Sequence, residues 1–143
     1  MEGSKLKSKI ESSFLKLKSY CEAENFAGWD PYDGLNSKIF NALPFKHWDL
    51  ARLAWIQGFK KSPINFRKLL MVPKEHNAKG IALFLSGYCN IYDLALKGET
   101  DFGTKQGLLS KINELANLLD ELKNTKFSGD CWGYNFPWQA RRL

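Results

Sequence analysis

The sequence lacks any apolar run approaching the ~18 residues that a membrane span needs. Its first residues, MEGSKLKSKIESSF, contain no continuous apolar stretch of the signal-peptide kind. Cysteine is scarce: Cys21, Cys89 and Cys131 are odd in number and far apart, with no C-x-x-C pair for zinc or redox chemistry. These features point to a reducing, cytoplasmic setting. The two histidines, His47 and His76, stand alone, and neither has a second ligand three or four residues on, so no metal site is expected. The glycines form no phosphate-binding loop motif, and no cofactor is expected. No stretch alternates with period two over the length of a strand, which argues against a sheet. Finally, no block of five like charges occurs. The net charge of +6 comes from dispersed lysines such as Lys5, Lys7, Lys9, Lys16, Lys18, Lys60, Lys61 and Lys68. That spacing reads as solvated helix faces and not as a nucleic-acid interface.

What the chain has is enough apolar material for a core (44%), and an aromatic share of 14% with five Trp. Such rings bury large areas, and the indole N–H wants an acceptor. Residues 4–24 form an amphipathic helix with a stripe of Leu6, Ile10, Phe14, Leu17 and Cys21. Asn36 or Ser37 caps a short helix that ends near Pro44. Residues 47–61 give a helix with a wide apolar arc including Trp48, Ala51, Trp55 and Phe59. Residues 62–78 hold two prolines and read as a connection, with at most a short helix from Asn65 to Met71. Residues 79–96 are apolar nearly all round, as in a helix enclosed by neighbours. Gly87 in its interior costs about 1 kcal/mol against Ala, so a closely packed neighbour is expected there. Residues 106–123 form a plainer amphipathic helix. The fold class is therefore all-α, built from helical hairpins. A fully apolar helix followed by a one-sided one fits a two-layer toroid; an antiparallel bundle is the competing arrangement.

Three decorated loops, 28–37, 62–67 and 128–141, are candidates to meet at one end of the layers. They hold Trp29, Asp30, Tyr32, Asp33, Asn36, Asn65, Arg67, Asp130, Trp132, Asn135, Trp138, Gln139 and Arg141. Rings with planar amide, carboxylate and guanidinium groups suit a saccharide, whose apolar face stacks and whose hydroxyls need donors and acceptors. The same residues also serve as helix caps and loop fillers. Glycoside cleavage needs two carboxylates roughly 5–10 Å apart. Asp33 with Asp130 is the one pair worth testing. Cys131 has no nearby His to activate it. The tail from Asn124 is rich in aromatic residues, which is unusual for a terminus. It implies a domain that continues, or a second copy or partner chain covering residues 128–143.

The segments YDGLNS (32–37), SPINFRKLL (62–70), KGIALFLSGYCNIYDL (79–94) and CWGYNFPWQAR (131–141) resemble a family of bacterial proteins found with polysaccharide and capsule biosynthesis genes. Its members resemble the alpha/alpha toroids, which include six-hairpin glycosidases and terpenoid cyclases. They are often labelled aminolevulinic acid dehydratase. That chemistry needs Schiff-base lysines in a barrel of parallel strands, so the label does not transfer to a helical chain. Two departures stand out: members continue past this length with hairpins that close the ring, and they carry Asp at the position of Pro137. The resemblance implies one helical domain over residues 1–143, the N-terminal portion of a longer toroid. It also implies a role in surface polysaccharide biosynthesis, with binding of a saccharide or polysaccharide precursor favoured over catalysis. The alternative is a protein-interaction or oligomerisation module using the aromatic C-terminal segment.

Overall fold

The first helix shows how the chain is organised. A computed structural model describes residues 2–137, and α1 spans Glu2–Ala23. It ends in a Schellman turn. Asn25 adopts a left-handed conformation (φ 49°) and donates to Glu22 O, while Phe26 N–H reaches Cys21 O at 2.8 Å. Asn tolerates that conformation. Phe26 (φ 57°) does not do so readily, and its strain is offset by burial: the ring is 7% exposed and packs on Phe84 and Tyr88.

Four more helices follow among the described residues: α2 (Lys38–Ala42), α3 (Asp49–Lys61), α4 (Ala78–Leu96) and α5 (Lys105–Glu121). A 3-10 turn covers Asp33–Asn36. No strand occurs among the described residues; an isolated bridge pairs Gly28 with Glu75. The fold is therefore all-α. Asn65–Met71 is not a helix: the chain makes a single turn, closed by Val72 N–H to Arg67 O with Met71 at positive φ.

The chain forms two compact units. In the first, residues 2–27 and 78–133, α4 and α5 form a hairpin around Ile81, Tyr88, Ile91, Ala95, Leu108 and Leu115. Gly98 (φ 74°) ends α4 in a second Schellman turn, and the Thr104 hydroxyl caps α5 at Gly107 N–H. From α1, Phe14 and Cys21 join this core. Leu6, Ile10 and Leu17 do not, at about 60% exposed each. Nor is α4 enclosed on all sides: Leu83 is 66% exposed, and among the described residues no atom beyond the helix's own backbone and Gly87's chain neighbours lies within 4 Å of where a Cβ on Gly87 would sit. The neighbour expected over Gly87 is absent from the described residues.

The second unit, residues 28–77 with 134–137, gathers α2, α3 and the 3-10 turn around Leu35, Phe40 and Ile56. Phe40 packs on Trp55 (centroids 4.8 Å apart). Ser37 is fully buried; its hydroxyl accepts from Phe40 N–H and donates to Leu70 O, so one side chain caps α2 and holds the 62–77 connection. Trp48, the residue before α3, and Leu50 in its first turn are each 69% exposed, so the expected wide apolar arc is only partly covered.

Candidate functional site

Most of the sequence-predicted residues of the second unit fall into two hydrogen-bonded groups. Asp30 begins an Asx turn: its Oδ1 accepts from Tyr32 N–H, and its own N–H donates to Asp33 Oδ2. Arg67 arrives from the 62–77 connection, its N–H held by Asn65 Oδ1. Its Nε donates to Asp33 Oδ1 at 2.9 Å and its Nη2 to Asp30 O at 2.9 Å. Both partners are nearly out of water, with side chains 12% and 4% exposed. Burial pushes the Asp33 carboxyl above its ordinary range, against the pull of Arg67. The guanidinium also lies over the Phe59 ring.

A second group lies around Glu75. Asn36 Nδ2 donates to Glu75 Oε2 (2.9 Å) and to Asn135 O (3.0 Å), and Asn135 Nδ2 donates to the same carboxylate oxygen (3.0 Å). Glu75 was not legible as a site residue, because 62–78 carries no period or motif. The Gly28–Glu75 bridge is what brings it beside Asn36. Trp29 gives its indole N–H to Val72 O, and Lys74 sits over its ring. Lys60 donates to the Tyr32 hydroxyl. Asn135 Oδ1 is buried and has no hydrogen-bond partner among the described residues, a state shared by Thr100 Oγ1 in the first unit.

The remaining described residues of the prediction belong to the first unit. Trp132 donates its indole N–H to Leu119 O, an otherwise unmatched carbonyl of the last turn of α5. Asp130 is exposed and pairs with Lys123. Asp33 and Asp130 thus lie in different units, each with a cationic partner of its own. In the second unit, Phe136 is buried and stacks with the exposed Tyr134. Trp138, Gln139 and Arg141 lie outside the described residues.

Chemically, the loops of the second unit form a closed polar network. Both Asp33 carboxylate oxygens, Arg67 Nε and Nη2, Asn36 Nδ2 and Asn135 Nδ2 already have protein partners. Among the described residues no group of three or more His, Cys, Asp or Glu is placed to hold a metal ion, and no helix is long and apolar enough to cross a membrane. Comparison with protein-family models, curated proteins and solved structures finds no match to this chain.

Proposed function

We propose that this chain is a helical protein-interaction module whose working surface is apolar. The observation that carries this reading is the exposure of large apolar side chains on or beside helices of both units. Leu6, Ile10, Leu17, Tyr20 and Leu83 in the first, and Trp48 and Leu50 in the second, are each 59–69% exposed. Scattered exposed leucines are ordinary; contiguous apolar patches mark interaction sites. In the aromatic tail Trp132 is tied to α5 and Phe136 is buried, whereas Phe127 and Tyr134 are exposed and add to the apolar surface.

The test is affinity capture from an extract of the source cells. Wild type is compared with a variant carrying Leu17→Glu, Leu83→Glu, Trp48→Glu and Leu50→Glu. The expected result is a polypeptide held in stoichiometric amount by wild type and released by the variant. Equal retention by both chains, or no retention at all, contradicts the reading.

Saccharide binding, as in production of a surface polysaccharide, is the second reading. The unpartnered Asn135 Oδ1 supports it, since a ligand hydroxyl in the Asn36–Glu75–Asn135 group would supply the missing donor. A titration with mono- and oligosaccharides that shifts Trp fluorescence in wild type and not in Asn135→Ala would favour it over the first.

A further inference from the structure

Between α1 and α4 the first unit holds an open apolar hollow of about 110 Å³. Leu17, Phe14 and Cys21 line it from α1, and Leu83, Phe84 and Gly87 from α4. The apolar surface continues along both helices with one spacing. On α1 it runs Leu6, Ile10, Leu17; on α4 it runs Leu83, Gly87, Leu94. Steps of four and seven repeat the seam of a coiled coil, and where Leu17 on α1 and Leu83 with Gly87 on α4 line the hollow they border a groove of the kind that receives a third helix. Gly87 lies on that seam. A glycine inside a helix is less favourable than Ala, and among the described residues nothing beyond the helix's own backbone stands within 4 Å of where its Cβ would sit. A backbone approaching from outside gives the missing methyl a purpose.

Charge narrows the occupant. Lys5, Lys9 and Lys16 follow steps of four and seven on α1, and so form a row beside the apolar stripe. Among the described residues these three have no ion-pair partner, whereas Lys7 pairs with Glu11 and Lys18 with Glu22. A second copy meeting α1 antiparallel sets one lysine row against the other, and the net charge of +6 opposes self-association. A flat bilayer gains little from a hollow.

Resting on the interaction reading above, we propose that the α1–α4 groove binds an amphipathic helix of another protein, with a leucine-type ridge and acidic residues on the flank facing Lys5, Lys9 and Lys16. The ridge places one large side chain in the hollow beside Gly87.

The probe is a fluorescent peptide of about three heptads with Leu at the seam positions and Glu on the flanks, and a twin with Lys in place of Glu. Anisotropy is expected to give micromolar binding of the Glu peptide to wild type, with the twin at least about tenfold weaker and the difference shrinking at high salt. Gly87→Leu, which fills the hollow, should weaken binding about tenfold or more while keeping helical circular dichroism. Lys5→Gln, Lys9→Gln and Lys16→Gln combined should remove the preference for Glu over Lys. Gly87→Ala guards against misfolding as the cause: it is expected to raise the melting temperature and still weaken the peptide. The proposal is overturned if the Glu peptide fails to bind, or if Gly87→Leu binds it as wild type does. It is equally overturned if the groove instead serves vesicles of anionic over zwitterionic lipid, or a dimer seen by sedimentation and abolished by Leu83→Glu. Loss of the peptide together with protein capture that survives Leu17→Glu and Leu83→Glu rejects this groove and leaves the interaction reading to the α3 face. Loss of both rejects both.

Discussion

Asp33 and Arg67 show how a residue chosen for chemistry serves the fold. Their ion pair lies almost wholly out of water. Removing one partner of such a pair strands the other charge, at a cost of about 3–5 kcal/mol. Asp33→Ala and Arg67→Ala are each expected to lower stability by that order in urea denaturation; a change under about 0.5 kcal/mol, the usual size for surface sites, contradicts the burial described. Glu22 contrasts with Asp33. Burial raises the Glu22 pKa, but hydrogen bonds from Tyr88 and Lys18 and the charges of Lys18 and Lys111 outweigh it, so the net shift is downward from 4.5. The stability from Glu22 is therefore present above 4.5 and lost as pH falls through its lower folded value. Asp33 has the opposite sign: its folded pKa is raised from 3.8, so stability declines as pH rises from 3.8 through the folded value. Side-chain carboxyl NMR titration should place Glu22 below and Asp33 above their ordinary values. Gly34 is a third such position. A Cβ there would meet the Phe59 ring at 3.2 Å and Trp55 at 3.3 Å, and Trp55 donates to Gly34 O. Gly34→Ala is expected to cost about 1–3 kcal/mol through overpacking.

At the scale of elements, α1 is held by few points. Phe14 meets Phe102 (centroids 4.7 Å), and the Tyr88 hydroxyl donates to Glu22 Oε1 at 2.6 Å, with Lys18 completing the latch. Burial and the Glu22 carboxylate raise the Tyr88 pKa. Tyr88→Phe should leave the α4–α5 hairpin intact and speed amide exchange in α1; uniform exchange across all three helices argues against a separate latch. On α4, Gly87→Ala should raise the helix's stability by about 1 kcal/mol, because the added methyl meets nothing. The helices were legible in the sequence because apolar spacing acts locally, as does the Ser37 cap; the Thr104 cap of α5 is seen only in the structure. Which stripe is covered was not. Leu6, Ile10 and Leu17 carry the same period as Phe14 and Cys21, and only tertiary packing separates them.

At the scale of the whole chain, each unit combines a small core with uncovered apolar helix faces. The sequence put Asp30, Asp33, Asn36 and Arg67 on loops expected to meet; loops 28–37 and 62–67 share one unit, in which Asp33 pairs with Arg67 and Asn36 bonds to Glu75. It also grouped Asp130 and Trp132 with them, and these fold back on α5 in the other unit. Turn chemistry reveals that a loop is decorated; long-range hydrogen bonds decide what it is decorated for. Here they pair the polar groups with each other and leave the apolar helix faces open. The most direct test is one set of amide NMR spectra of the labelled chain, titrated in turn with the Glu-flanked peptide and with a saccharide mixture. The account predicts peptide shifts concentrated at residues 6–20 and 83–94 and none from saccharide at Trp29, Asn36 or Asn135; saccharide shifts at those three, with silence along α1 and α4, would contradict it.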